Sequence, residues 1–413
     1  MKKQSNINPG YKNSPLGPIP ENWTITNISD SADILDNKRK PFNKEERSFK
    51  KGKYPYYGAN GVVDYIDEYI FDDNLILIAE DGGYFDEYNY RPIAYLINGK
   101  SWVNNHAHVL KAKHNIYQNY LFYSIEHKNI LPWLNGGGRA KLNKSELEKI
   151  EIPLPPLPEQ QKIATILKTT DETIEITQNI IKKLEQRNKG LQQKLLTGKV
   201  RVKGFTEKWR EFKLLDLFDR VTRKNDENNT NVLTISAQKG LINQESYFKK
   251  QIASELLNNY YLLLKDEFAY NKSYSNGYSM GAIKRLKYYD KGVVTTLYIC
   301  FKLKEKINFS HDFFECYFEN QLLVKSLEKI ANEGGRAHGL LNVTPSDFFN
   351  IKITIPSVEE QKAIADILYK ADQELNQYKM KLEKLKLLKK GLMQQLLTGK
   401  VRVKSEKGKV NSE

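Results

Sequence analysis

Cysteine is scarce: Cys300 and Cys316 are the whole complement of 413 residues. Two thiols build no disulfide framework. With only six histidines to help, they make no four-ligand zinc site either. Such usage fits a reducing cytoplasm. Long apolar runs are missing, and none approaches the ~18 residues of a membrane span. Polar Gln4-Ser5-Asn6 follows Met1-Lys2-Lys3, where a secretion signal would place an apolar stretch. The expectation is a cytoplasmic protein, neither membrane-bound nor secreted.

Catalytic motifs are absent as well. Gly99-Lys100-Ser101 comes nearest to a phosphate loop, but Ala94 stands where the first glycine belongs. Asn8-Pro9-Gly10-Tyr11 lacks the second proline of the amino-methyltransferase Asn-Pro-Pro-Tyr element, and no glycine-rich cofactor loop precedes it. His106-Ala107-His108 has no evident third metal ligand, and strand alternation would put both rings on one face. Glu80-Asp81 and Asp86-Glu87 lack the nearby lysine of a metal-dependent nuclease. No nucleophile–base pair stands out. No catalytic residue, metal or cofactor is expected in this chain, which reads as a binder.

What is present is charge of one sign and a repeat. The net charge is +15, with 40% hydrophobic and 28% charged residues. That composition supports globular cores and suggests a polyanionic partner. The length predicts two or three domains. Leu195-Leu196-Thr197-Gly198-Lys199-Val200-Arg201-Val202-Lys203 returns as Leu396-Leu397-Thr398-Gly399-Lys400-Val401-Arg402-Val403-Lys404, 201 residues later. The register holds without a gap back to Glu159-Gln160 and Glu360-Gln361, with 22 identities in 45 positions. This is an internal duplication.

The repeated unit has helical spacing. Ile163, Leu167, Thr170, Ile174, Thr177, Ile181, Leu184, Asn188, Leu191 and Leu195 alternate steps of four and three. Ile364, Leu368, Ala371, Leu375, Tyr378, Leu382, Leu385, Lys389, Leu392 and Leu396 do the same. That pattern marks a coiled-coil seam. Each helix should run about 35–39 residues, roughly 50–58 Å. Pro155-Pro156-Leu157-Pro158 and Pro356 stand at the entries, and Gly198 and Gly399 where C-terminal caps fall. Gly190 and Gly391 lie inside the helices, read equally well as sites of close approach and as tolerated kinks. Asn188 and Lys389 are polar seam positions of the kind that fix register, or mark where tight contact ends.

The expected architecture is α+β: two globular domains separated by two long coiled-coil helices, with an internal repeat. Boundaries are drawn at 1–157 for the first globule, 158–203 for the first spacer helix, and 204–357 for the second globule. The second spacer helix takes 358–404, and 405–413 is expected to be a disordered tail. Short aromatic and β-branched runs punctuated by glycine predict strands at Tyr54–Tyr57, Val62-Val63, Leu75–Ala79, Ile93–Ile97, Val232–Ile235, Phe268–Tyr270 and Val293–Ile299. Helices are expected at Gln118–Lys128 and Asp312–Ile330. Trp23 and Trp209 open the two globules in similar settings, and Gly138-Arg139-Ala140 and Gly335-Arg336-Ala337 close them.

The two spacer segments carry +5 each, against +1 for residues 1–157 and +4 for 204–358 (taking 358–404 and 359–404 alike). The first globule is dipolar along the chain. Eight bases fall between Lys38 and Lys53, and nine acids with no base between Asp64 and Glu87. Lys38, Arg39, Lys50, Lys51 and Lys53, running into Tyr54, Tyr56, Tyr57 and Asn60, are candidate DNA contacts, combining phosphate-neutralising charge with aromatic and amide groups. A solvated charged loop is the alternative. Arg139 and Lys141 join them. In the second globule the candidates are Arg223, Lys224, Asn271, Lys272, Tyr274, Ser275, Asn276, Tyr278, Lys284, Arg285, Arg336 and His338. That loop also resembles an ordinary Asn/Ser/Gly turn.

Taken with Pro155-Pro156-Leu157-Pro158-Glu159-Gln160, Ile163-Ala164-Thr165-Ile166-Leu167, Glu360-Gln361, Ile364-Ala365-Asp366-Ile367-Leu368 and the two Leu-Leu-Thr-Gly-Lys stretches, the sequence resembles the specificity subunit of bacterial type I restriction-modification enzymes. Ile355-Pro356-Ser357-Val358-Glu359 departs from the family's proline-rich entry, leaving the start of the second helix less defined. The resemblance implies two target-recognition domains, each reading one half of a split double-stranded DNA site. It implies that the two long helices pack as an antiparallel coiled coil with an internal pseudo-two-fold repeat, set the gap and dock two methyltransferase subunits, with two nuclease/translocase subunits that join in some complexes. S-adenosylmethionine, and ATP with Mg2+, would sit on those partners. Four residues inserted in each helix would separate the globules by ~6 Å, about two base steps. Two competing readings are a catalytic chain with an unseen motif and a nonenzymatic coiled-coil adaptor with protein-binding globules.

Overall fold

The structure, a computed structural model, describes residues 9–403 except 136–139, 237–238, 245–256, 275–276, 307 and 332–340. The proposed disordered tail, 405–413, lies outside the described residues. Two compact units form: Met1–Gln178 with Met380–Glu413, and Asn179–Lys379. Each unit therefore contains one globule, the end of one long helix and the start of the other. The long helices are Leu157–Leu195 and Val358–Leu396.

In the first unit a four-stranded sheet runs in the order Ala32–Ile34, Ala107–Ala112, Leu75–Ala79, Ala94–Ile97, all antiparallel. Every residue of the Leu75–Ala79 strand is buried, and the alternation of a strand explains why. Ile76 and Ile78 face a core shared with Tyr120, Leu121 and Ile125 of the helix Gln118–Glu126. Leu75 and Leu77 face a second core with Phe71, Val103 and Val109. A sheet covered on both faces needs an unbroken apolar run. A second four-stranded sheet is ordered Gly61–Ile66, Lys51–Gly58, Lys100–Val103, Phe71–Asp72, with a parallel pairing of Trp102 to Tyr56.

The second unit repeats the first sheet's topology. Its strands are ordered Phe218–Val221, Ile299–Leu303, Phe268–Asn271, Ala282–Arg285, again with the last strand in sequence beside the first. Phe268 and Tyr270 join the aromatic core around Phe301, Phe313, Phe314 and Phe318, while Ala269 faces Leu263 and Cys300 on the other side. In both units an early strand pairs antiparallel with the strand before the next long helix: Thr24–Asn27 with Glu151–Leu154, and Arg210–Lys213 with Lys352–Ile355. That pairing delivers each chain back to the start of a long helix.

Two expected elements break. The Val293–Ile299 run splits into strands Lys291–Val294 and Ile299–Leu303 around a turn at Thr295 to Tyr298. The helix expected over Asp312–Ile330 divides into His311–Glu319 and Val324–Ile330. Gln321 adopts φ 56° between them, a left-handed conformation that no helix continues through.

Within each unit the two helix segments run antiparallel. In the first, Arg402 pairs with Glu159 and Lys389 with Asp171. In the second, Arg201 pairs with Glu360, Arg187 with Glu374, and Lys379 with Glu185. Ile163, Leu167, Ile181, Leu184, Leu195, Ile364, Leu368 and Leu396 are buried. Ile174, Leu191, Leu375, Leu382, Leu385 and Leu392 are half-buried. Both helices continue unbroken through Gly190 and Gly391, and a Cβ at either would meet nothing within 4 Å. Close approach within the chain is not what these glycines provide.

Candidate nucleic-acid interface

The duplicated residues build the same joint twice. In the first unit the Trp23 indole donates to Glu159 Oε2 at 3.0 Å, and Arg402 donates to both carboxylate oxygens at 2.7 and 2.8 Å. In the second, Trp209 donates to Glu360 Oε2 at 3.2 Å, and Arg201 to both oxygens at 2.7 and 2.6 Å. The two glutamates are buried, and their hydrogen bonds hold the arginine charge more firmly protonated than usual. Gly399 (φ 72°) and Gly198 (φ 69°) end the helices in the left-handed conformation. Gly399 also lies under Pro20, where a Cβ would come within 2.5 Å. Gln160 accepts from Tyr117 N–H and Gln361 from Ser310 N–H, so each helix start is tied to its own globule.

The polar seam positions are pins, and they differ. Lys389 reaches Glu126 at 3.0 Å and Asp171 at 2.8 Å, with the Tyr123 ring beneath it. Burial pushes the Glu126 carboxyl up despite Lys389 and His127. Asn188, the counterpart of Lys389, donates to Ala371 O at 2.9 Å and Asp372 Oδ1 at 3.1 Å. Asp372 is likewise pushed up by burial, against the hydrogen bond from Asn188.

The charge dipole along the first globule closes on itself in space. Arg39 lies 2.6 Å from Glu80 and 3.3 Å from Asp36, Lys50 2.7 Å from Glu68, and Lys51 2.6 Å from Asp64. Arg47 joins Asp64 at 3.3 Å. The basic and acidic blocks neutralise each other because the strands carrying them pair. Lys38 and Lys53 are exposed, and no ion pair forms at either among the described residues. Tyr54 packs edge-on against Tyr69, and Tyr57 is half-buried, with its hydroxyl pushed up by burial. Tyr56 corrects the expectation: it is wholly buried and its hydroxyl accepts from Phe42 N–H, so it supports the sheet. Arg39, held by two carboxylates and by Ala107 O at 2.9 Å, is an internal strut rather than a phosphate contact. Asn60 is exposed and donates to Gly82 O at 2.8 Å. Lys141 reaches Glu80 at 3.1 Å while remaining half-exposed.

The two histidines do not share a strand face. His106 sits in the turn before the strand Ala107–Ala112 and contacts Asp81 through Nδ1 at 2.6 Å. His108 is buried between Asp36 (2.6 Å) and Leu142 O (2.7 Å). Asp36, Glu80 and His108 bring ligand-type atoms within 4.8 Å of one another. Arg39 already supplies a cation to both carboxylates there. Burial raises Asp36, but bonds to His108 and Val109 N–H, with the Arg39 charge, outweigh it and hold its carboxyl low.

In the second globule three cationic candidates are paired with carboxylates of their own unit. Lys284 is buried against Glu319 at 2.5 Å, its ammonium over the Tyr278 ring. Arg285 is shared by Asp266, Asp312 and Glu315. Arg223 clamps Glu267 through two nitrogens. Lys284 and Arg285 correct the DNA-contact expectation, because each is largely buried on carboxylates of its own unit, while Arg223 keeps about a third of its side chain exposed. Tyr278 bonds Glu319 at 3.2 Å. Asn271 accepts from Ser273 N–H to shape a turn, and Lys272, its charge disfavoured by burial, donates to Val343 O. Lys224 is exposed on Asn259 O, and Tyr274 is exposed. Arg139, Ser275, Asn276, Arg336 and His338 lie outside the described residues. Burial pushes both Cys300 and Cys316 up to about 12, which keeps them as thiols.

The sequence reading missed one feature of the first globule. The Gly58–Gly61 hairpin end, the Asp81-Gly82 loop and the Asn104–His106 turn enclose an open cleft of about 510 Å³. Val62 and Val63 stand exposed on its wall.

The type I restriction modification DNA specificity domain matches residues 20–186 and again residues 206–387. The MjaVIII type I restriction enzyme specificity subunit of Methanocaldococcus jannaschii is 28% identical over 421 aligned residues, covering 94% of this chain and 95% of that one. A Haemophilus influenzae protein provisionally named a type I restriction enzyme specificity subunit is 41% identical over 140 residues; this chain spans about a third of its length. The crystal structure of a type I restriction-modification S subunit from M. genitalium superposes with a TM-score of 0.58 at 18% identity, covering 96% of this chain and 98% of that one, and shares the fold. Matched twice by one family model over most of its length, the chain belongs to the type I restriction-modification DNA specificity family.

Proposed function

We propose that each globule reads one half of a bipartite double-stranded DNA site, and that the long helices fix the gap between halves. The same helices would dock two methyltransferase subunits, so that adenines in the site are methylated. Nuclease/translocase subunits joining the complex would restrict unmodified DNA. This chain contributes recognition, not catalysis. S-adenosylmethionine, and ATP with Mg2+, belong to the partners in this reading, and the complex works in the cytoplasm. The observation carrying it is the joint built twice from duplicated residues, Trp23–Glu159–Arg402 and Trp209–Glu360–Arg201. A shared scaffold presents two globules that repeat one sheet topology and differ elsewhere, as two readers of different sequences require. No helix among the described residues is long and apolar enough to cross a membrane.

The test is a methylome. The chain is co-expressed with its methyltransferase partner in a host lacking adenine methylation, and modified bases are mapped. Two short specific blocks around a fixed gap are expected. No modification, from an assembled complex that binds the methyl donor, would move the protein-binding adaptor reading to the front. Four residues inserted in each helix should widen the gap by about two bases; an unchanged gap would sink the ruler role.

A further inference from the structure

We infer that the cleft bounded by Gly58–Gly61, Asp81-Gly82 and Asn104–His106 is where the first globule reads an A·T base pair of its half-site, with His106, Asn104 and Asn60 as the specificity-determining side chains. The inference rests on the half-site reading above and names the groups that execute it.

Each of the three side chains is tied down on one side and leaves a complementary group on the other. His106 contacts Asp81 through Nδ1. In the tautomer whose Nδ1–H donates to that carboxylate, Nε2 is an acceptor. Asn104 Oδ1 accepts the His106 N–H at 2.8 Å, so its amide nitrogen keeps its donors. Asn60 gives its amide to Gly82 O at 2.8 Å, which leaves Oδ1 as an acceptor. Donors and acceptors fixed in this way lose little freedom when a ligand arrives, which favours specific recognition. A donor beside acceptors complements adenine in the major groove, where N7 accepts and the 6-amino group donates. Val62 and Val63, 46% and 56% exposed on the same wall, supply the apolar contact a thymine methyl group takes.

The backbone is shaped to let a base edge in. A Cβ at Gly58 would lie 2.8 Å from Val63 Cγ2, so a side chain there would have to displace the valine from the wall of the cleft. Gly61 at φ 115° then turns the chain at the rim, with nothing within 4 Å of its would-be Cβ. Arg47 and Lys51 pair with the Asp64 charge, and Asp81 is engaged by His106 Nδ1. Lys53 stays exposed on the adjoining strand for a phosphate.

The methylome of co-expressed His106→Ala and Asn60→Ala chains tests this. Both positions are solvent-accessible, and the second block of the motif reports in the same cells whether the complex assembles. The expected result is loss of preference at one A·T position in one block, by about ten-fold or more, with the other block and the gap unchanged. Asn60→Ala, in a surface turn, decides the matter if His106→Ala abolishes all methylation. A wild-type split motif retained intact by the assembled variants would overturn the cleft assignment and leave the half-site reading standing. A wild-type chain that directs no split motif would overturn both.

Discussion

Glu159 and Glu360 accept the same three hydrogen bonds from the same atoms of a tryptophan and an arginine. Lys389 and Asn188 are equally related by the repeat, yet one carries a cation between two carboxylates and the other a neutral amide against a carbonyl and one carboxylate. The identities are dense where helix meets globule and absent between positions 172 and 182 and their counterparts. Residue identity is kept where both units perform the same mechanical task. It is lost where the two ends are made distinct. The difference teaches that joint and pin are separate devices: the joint orients a globule on its helices, and the pin sets which helix segment lies opposite.

The comparison can be broken first at the joints. Arg402→Ala and Arg201→Ala each strand a buried carboxylate, and should each lower stability by about 3 kcal/mol or more in urea unfolding. Costs differing by more than about 1 kcal/mol would mean the joints are not equivalent. Lys389→Met leaves Glu126 and Asp171 without their cation and should cost about 3 kcal/mol. Asn188→Ala removes an amide that bonds Ala371 O, Asp372 and the neighbouring Arg187 but strands no buried charge without its counter-ion, and should cost about 1 kcal/mol. Equal losses would erase the distinction between pins. Gly190→Ala and Gly391→Ala face open space in a helix and should each raise stability by roughly 0.5–1 kcal/mol. A gain in stability with weaker methyltransferase assembly would show that a partner packs there.

The smallest expected effect is a pH slope. Asp372 has a folded-state pKa above its ordinary 3.8, so the folded chain holds that proton more tightly than the unfolded chain. Its contribution is most favourable below 3.8 and declines as pH rises through the folded value. Asp372→Asn should therefore compare better with wild type at neutral pH than in acid, as read from unfolding midpoints across pH. Asp36 runs the other way. Its lowered folded value gives stability that is present above 3.8 and lost as pH falls through the folded value.

Much of the fold was legible because duplication repeats information. The seam positions follow from a period of 3.5, the helix ends from the capping glycines Gly198 and Gly399, and the strands around Leu75–Ala79 and Phe268–Tyr270 from short apolar runs. The joints were also within reach, since Glu159, Arg201, Glu360 and Arg402 lie in the repeated stretches. Their meaning was hidden because each arginine meets the glutamate of the other copy. The DNA candidates were poorly legible. Arg39, Tyr56, Arg223, Lys284 and Arg285 have the right chemistry for nucleic acid, but charge and aromaticity in sequence do not tell whether a partner waits across a sheet. His106 was masked by its neighbour His108, two residues on in the chain yet buried in a different environment.

The sequence by itself determined the two-fold architecture, the helical seams and the family, because hydrophobic period and duplication are properties of order along the chain. Only the tertiary structure decided which charges remain available for a polyanion. Ion pairing and burial depend on which strands lie side by side, and that pairing brings Lys51 to Asp64, Arg39 to Glu80 and Lys284 to Glu319.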